Sequence, residues 1–203
     1  MITVVDYGVG NIGAIINMFD YLGIDAQASG DPDVIARADK LVLPGVGAFD
    51  KAMGTLRARQ LIEPLNEAAL NRQIPVLGVC LGMQLLARQS AEGNEAGLGW
   101  IEADVTRIVL PEKSVLKIPH IGWMEIYPTS NSVLFGTATP TERFYFDHSY
   151  YVSCDRPQDV SATINYDQSL CCAVQVNNVS GVQFHPEKSH RFGMRLLSAF
   201  GAL

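Results

Sequence analysis

The chain has no long apolar run, little cysteine and no cluster of positive charge, and each absence removes a class of function. No stretch approaches the roughly 18 to 20 apolar residues that a membrane-spanning helix needs. The first residues, Met1-Ile2-Thr3-Val4-Val5-Asp6, meet an acid at once with no basic leader before them. Neither a membrane nor a secretory route is therefore expected, and a cytoplasmic location is. Four cysteines in 203 residues, Cys80, Cys154, Cys171 and Cys172, form no C-x-x-C pair, which argues against both a disulfide framework and a zinc site. Cys154, Cys171 and Cys172 read as reduced thiols of the core or of strands. Lys and Arg number 15 against 21 Asp and Glu, for a net charge of −6, and the basic residues are scattered. Nothing recommends a nucleic acid or an anionic membrane as partner. A G-x-x-x-x-G-K-[ST] loop and a full G-x-G-x-x-G fingerprint are also missing, so no ATP or dinucleotide cofactor is expected, and no metal.

What is present suits a compact domain with a sizeable core: 48% of residues are hydrophobic and 18% charged. One domain over residues 1–203 is expected. In the first half, short apolar runs alternate with amphipathic stretches. Ile2 to Val5, Ile24 to Ala28, Leu41 to Leu43 and Pro75 to Val79 read as strands. Asn11 to Leu22 reads as a helix with Ile12, Ile15, Ile16, Phe19 and Leu22 on one side. Asp31-Pro32 supplies an N-cap and first helical residue for a helix to Ala38. Phe49 to Arg72 is helical, with Pro64 forcing a break or restart. Such alternation with apolar strands predicts an α/β fold with a parallel sheet covered on both faces. After the glycine-rich stretch Gly93 to Gly99 the pattern changes. Ala103 to Val109, Phe144 to Tyr150, Val160 to Ile164, Leu170 to Val176 and Val179 to Phe184 read as antiparallel strands, with turns at Tyr166-Asp167 and Asn177-Asn178. A helix from His190 to Phe200 closes the chain. One mixed open sheet is expected, its second half packed against its first.

Three local features carry possible chemistry. Gly78-Val79-Cys80-Leu81-Gly82 stands where a buried strand gives way to a helix, expected from Leu81 to Ala91. It is the cysteine counterpart of the G-x-S-x-G elbow, in which a tight turn lifts the nucleophile above the sheet edge. The Leu81 N–H, first in the helix and without an intrahelical partner, is free for a developing oxyanion. His185-Pro186-Glu187 ends a strand, and in extended chain residues i and i+2 share a side, which suits a general base and the carboxylate that orients it. Pro44-Gly45-Val46-Gly47 follows the third strand, where two glycines allow an N–H to face a cavity at the carboxyl end of the sheet. Each alone has a plainer explanation in packing or a turn. Together they supply nucleophile, base, orienter and oxyanion donors.

With these stretches, Asp6-Tyr7-Gly8-Val9-Gly10-Asn11, Leu43 to Phe49, Gly78 to Leu86, Pro119 to Trp123, Tyr145 to Tyr150 and Gly181 to Ser189 make the chain resemble the class I glutamine amidotransferases. Within them it is similar to the glutaminase subunits of imidazole glycerol phosphate synthase, from Met1 to the last helix. The resemblance implies a flavodoxin-like, largely parallel mixed sheet with helices on both faces. It implies Cys80 as nucleophile, His185 as base and acid, Glu187 as orienter, and an oxyanion site from Leu81, Val46 and Gly47. It also implies glutamine contacts from Gly47, Gln84, His148, Ser149 and Tyr150. A (β/α)8-barrel synthase is the implied partner, met by Asn11, by the loop segment His120 to Trp123 and by Met124. That synthase would take ammonia through an interior channel and make imidazole glycerol phosphate and AICAR in histidine biosynthesis. Two positions depart from the family pattern: Met124 replaces an asparagine and Asp147 a valine. The run Ser189 to Met194 resembles paralogues that supply ammonia for amidino-sugar formation in surface polysaccharides, so two acceptors stay open. A binding module without turnover and an unrelated cysteine peptidase are the alternatives from other classes. The presence of both Cys80 and His185 opposes the first, and the glutamine-loop match opposes the second.

Overall fold

The computed structural model describes residues 1–129, 132–136 and 142–203. Strands β1 (Ile2–Val5), β2 (Ala26–Ser29), β3 (Lys40–Gly45) and β4 (Val76–Cys80) alternate with helices α1 (Ile12–Tyr21), α2 (Pro32–Ala36), α3 (Phe49–Ala58) and α4 (Ile62–Asn66). A short α5 (Leu81–Leu85) follows β4. Then come β5 (Ala103–Arg107), β6 (His120–Pro128), β7 (Glu142–His148), β8 (Tyr150–Cys154), β9 (Val160–Asn165), β10 (Ser169–Val176), β11 (Val179–Val182) and α6 (His190–Ala202). Nine strands form one sheet in the order β2-β1-β3-β4-β11-β10-β9-β6-β7. The first five of that order run parallel, and from β11 onward every pairing is antiparallel. The mixed open sheet is thus as expected.

Alternating side chains of the central strands feed two cores. Val5, Leu41, Leu43 and Val76 face Ile35 of α2, Phe49 and Leu56 of α3, Leu65 of α4 and Met83 of α5. Ile2, Val4, Val42, Leu77 and Val79 face Ile15 and Phe19 of α1 and Leu196, Leu197 and Phe200 of α6. Helices therefore cover both faces, and each fully buried Leu, Ile or Phe contributes about 1.5 to 3 kcal/mol of transfer free energy. Asp31 caps α2 through its carboxylate, which accepts from the N–H groups of Asp33 and Val34. The long helical stretch breaks at Gln60, which has φ 57°. Pro64 then sits in the first turn of α4, where its missing N–H costs nothing.

Several expectations need correction. The helix after Cys80 ends at Leu85, not Ala91. Its last carbonyls are taken from outside: the N–H groups of Leu98, Gly99 and Trp100 donate to the carbonyls of Leu85, Ala87 and Leu86. The glycine-rich stretch thus returns along the helix end and stops it. The second half does not all join the sheet. The chain bends at Ser149, splitting the expected strand Phe144 to Tyr150 into β7 and β8, and β8 pairs with β5 in a separate two-stranded ribbon. Ala103, Val105 and Val152 of that ribbon close the core beneath α5. His120 to Trp123 is not a loop but the start of β6, paired with β7 from His120↔His148 onward. Among the described residues no helix is long and apolar enough to cross a membrane.

Candidate active site

The centre of the site is Cys80, last residue of β4, with φ 54° and ψ −112°. An L-residue rarely adopts this conformation, which persists only where the surroundings enforce it. They do so here by close approach. A Cβ at Gly82 would lie 1.8 Å from the Leu43 carbonyl oxygen, so only glycine lets the turn after Cys80 press against β3. The thiol is buried but lines a cavity shared with Val46, Gly47, Leu81, Gln84, His148 and His185. The cavity has a volume near 200 Å³.

His185 arrives from the far side of the parallel-to-antiparallel junction. β11 lies beside β4 in register, Val182↔Val79, and the chain bends through Gln183 and Phe184 to His185, whose backbone has φ −100° and ψ 99°. The His185 N–H donates to the Tyr145 carbonyl (2.9 Å). Its own carbonyl accepts from the buried Ser189 hydroxyl (2.6 Å), whose oxygen in turn accepts from Tyr145 N–H (3.0 Å). Pro186 to Lys188 then form a 3₁₀ turn, which folds Glu187 back on the ring. The His185 Nδ1–H donates to Glu187 Oε1 at 2.8 Å, and both side chains are buried. The pairing expected from an i, i+2 strand is therefore made by a turn, because the strand has already ended.

With Nδ1 engaged, Nε2 is the nitrogen left for Cys80. Burial alone pushes the His185 imidazole toward its neutral form. Hydrogen bonds to Cys80 and Glu187, reinforced by their charges, overturn that and raise its pKa to about 10. Glu187 Oε2 is buried and has no partner among the described residues. A carboxylate so poorly served by neutral donors is best compensated by a cation, and the imidazolium is the group beside it.

Gly47 has φ +93°, a conformation open to glycine, and with Val46 it is exposed on the rim of the cavity. Tyr7 is buried and its hydroxyl donates to the Pro44 carbonyl at 2.7 Å, so the segment is pinned at its start and free at its end. On the opposite wall the Tyr150 carbonyl accepts from His148 Nδ1 (2.8 Å) and from Gln84 Nε2 (3.1 Å). Ser149 is not among the lining residues; it marks the bend, and its carbonyl accepts from Ile108 N–H.

The interface residues separate. Asn11 is exposed at the start of α1, and Trp123 is exposed and stacked on His190 (5.6 Å, 1°). Met124 is half-buried. His120 is 3% exposed, and its side chain cannot meet a partner because the alternation of β6 turns it inward. Sequence reasoning passed over Glu92, Lys188 and the buried Gln183. Glu92 and Lys188 line the cavity together with Asp147. Gln183 stands two residues before His185, just past the end of β11, and its amide nitrogen lies 3.8 Å from Cys80 Sγ. Glu92 and Lys188 carried no local signal. Among the described residues no group of three or more His, Cys, Asp or Glu side chains is arranged to hold a metal.

A nucleophilic thiol, an imidazole fixed by a carboxylate, backbone N–H groups and a small polar cavity are the parts of an acyl transfer site. Comparison with known proteins agrees. The family model for glutamine amidotransferase class-I matches residues 3–201. The imidazole glycerol phosphate synthase subunit HisH 2 of Pseudomonas aeruginosa is 46% identical over 200 residues, covering 98% of each chain. The protein of the same name from Methanococcus maripaludis is 44% identical over the same share of each. A crystal structure of a glutamine amidotransferase superposes with a TM-score of 0.77 at 17% identity, over 99% of each chain.

Proposed function

Because the chain belongs to the class-I glutamine amidotransferases, we propose that it hydrolyses glutamine to glutamate and ammonia for imidazole glycerol phosphate synthesis in histidine biosynthesis. The single observation that carries the chemistry is the strained Cys80 set against the His185–Glu187 pair in one cavity. The pathway rests on relatives that are 44 to 46% identical over almost the whole chain and bear that synthase's name. The amidino-sugar alternative has no such support. Residues 1–203 act as one glutaminase unit.

Cys80 Sγ, its proton already passed to His185 Nε2, attacks the side-chain carboxamide carbon of glutamine. Glu187 holds the ring and balances the imidazolium. The oxyanion of the tetrahedral intermediate is met by the Leu81 N–H and by the Val46–Gly47 segment. His185 returns the proton to the departing nitrogen, ammonia leaves, and a thioester remains on Cys80. Water, deprotonated by the same imidazole, then adds to the thioester carbon and releases glutamate. Glutamine carries an ammonium and a carboxylate at its other end, and the cavity offers Glu92 and Asp147 to the first and Lys188 to the second.

The partner is a (β/α)8-barrel synthase subunit, bound through the face that carries Asn11, Trp123 and Met124, which receives ammonia through an interior channel. Steady-state glutamate release is measured for the chain alone, with the synthase subunit, and with that subunit and its ligand. Low turnover alone and a strong rise in the full complex are expected. Three equal rates would show that the oxyanion segment needs no partner, and no glutamate in any of them would overturn the activity itself.

A further inference from the structure

His120 lies outside the cavity, yet it is buried and its ring packs against Phe146 (4.9 Å, 21°) and Tyr166 (4.2 Å, 34°). The mechanism above does not use it. Its Nδ1 stands 3.1 Å from His148 Nε2, and His148 lines the glutamine cavity.

The direction of every hydrogen bond in this part of the molecule follows from one group. The Tyr150 carbonyl can only accept, so both groups that face it are donors. His148 must therefore carry its proton on Nδ1 (2.8 Å), and Gln84 must present its amide nitrogen (3.1 Å). A neutral His148 then has a bare Nε2, which can only accept, and His120 must be protonated on Nδ1 to serve it. On the other branch, Gln84 spends its second N–H on Gln183 Oε1 (3.0 Å). That orientation turns the Gln183 amide nitrogen toward Cys80 Sγ, at 3.8 Å. The result is one directed chain: His120 to His148 to the Tyr150 carbonyl, and from Gln84 through Gln183 to the sulfur.

We infer that His120 is a positioning residue for the glutamine cavity, its Nδ1–H fixing the tautomer and orientation of His148 and thereby the wall formed by Tyr150 and Gln84. The inference rests on the glutaminase reading of the site. Burial, with the neighbouring ring as a second cause at His120, lowers the pKa of both histidines to about 4, so the chain is intact at neutral pH. Without His120, His148 keeps its bond to Tyr150 but its other nitrogen becomes a buried acceptor with nothing to accept, and the ring is free to tilt into the space where substrate binds. Cys80, His185 and Glu187 make no contact with His120, so the loss falls on substrate binding and not on the chemical step.

Two measurements test this. Imidazole nitrogen–proton correlation spectra of the wild-type chain should show His120 and His148 both neutral and both protonated on Nδ1. An Nε2–H tautomer at either ring would overturn the chain of donors, whatever the enzyme's activity. Glutamate release in the presence of the synthase subunit is then compared for wild type, His120→Phe, His120→Asn and Cys80→Ala. His120→Phe keeps the ring stacking and removes the donor; a rise of about tenfold in KM for glutamine with kcat changed less than about threefold is expected. His120→Asn, which can place an amide N–H near the old Nδ1, should restore most of the KM. A wild-type KM in His120→Phe, or equal losses in the Phe and Asn variants, would reduce His120 to a packing residue. Should His120→Phe fail to fold, the tautomer spectra and the Asn variant decide alone. Retained activity in Cys80→Ala would instead sink the glutaminase reading and leave the tautomer result standing.

Discussion

The two halves of the sheet deliver their chemistry by different physics. In the parallel half, Cys80 is placed by a short turn, Gly78 to Gly82, whose strained backbone is held by close approach to Leu43 of the neighbouring strand. In the antiparallel half nothing is so local. His185 is held by Tyr145 and His148 by His120, partners brought in by strand pairing, with the near neighbours Ser189 and Tyr150 each adding one bond. A local device is robust to changes elsewhere, while a device built across strands is sensitive to any of its supports. The variants below break one side of that contrast at a time.

The largest effect belongs to the local side. Cys80→Ala should lower glutamate release by about 10⁵-fold or more, since no other group can form the thioester. Synthesis from added ammonia by the partner should be unchanged, because the fold of the chain is untouched. His185→Asn should come close to the same loss. Glu187→Gln should cost less, about 10²-fold, because the turn after Pro186 still holds a neutral amide against Nδ1. It should also move the alkaline limb of the pH–rate profile to lower pH. The sign follows from the balance at His185: burial favours the neutral ring, Cys80 and Glu187 both favour the imidazolium, and deleting the Glu187 charge removes part of what opposes burial. An unmoved limb would show that Cys80 alone sustains the raised value.

Gly47→Val tests the exposed rim. At φ +93° a β-branched residue costs about 1 to 2 kcal/mol, which predicts about a tenfold fall in kcat if the segment supplies an oxyanion donor in that conformation. Wild-type kcat would remove Gly47 from the oxyanion site. The smallest effect at neutral pH lies in the histidine pair. His120 and His148 titrate near 4 when folded and near 6.5 when unfolded. Between these values the unfolded chain binds more protons, so stability falls as pH drops from about 6.5 toward 4, by at most about 3 kcal/mol for each ring. His185 has the opposite sign: its contribution is complete below about 6.5 and is lost as pH rises through about 10. Urea unfolding at pH 7 and 4.5 should show the acid loss, reduced in His120→Phe. An equal loss in that variant would assign the acid sensitivity to carboxylates elsewhere.

Much of this was legible in the sequence wherever the determinants are short-range. The βα alternation, the Asp31 cap, the turn at Asn177-Asn178 and the cysteine elbow all follow from periodicity or from residues that stand next to one another. What misled was also local. Leu81 to Ala91 has the composition of a full helix, but its end is set by Leu98 to Trp100, which no pattern within the helix announces. Phe144 to Tyr150 alternates as one strand, but a bend at Ser149 divides it between two sheets.

By itself, then, the sequence determined the fold class and the elbow that carries Cys80, because strand period and glycine sterics act over a few bonds; it set His185 and Glu187 two positions apart, but the turn at Pro186 and not strand geometry made them a pair. Only the tertiary structure decided that His120 turns inward to His148, that Gln183 faces the sulfur, and that Glu92, Asp147 and Lys188 meet at one cavity. Those contacts join residues separated by as many as 103 positions in the chain. Their existence depends on how strands align across the sheet, which is a property of the whole core and of no single segment.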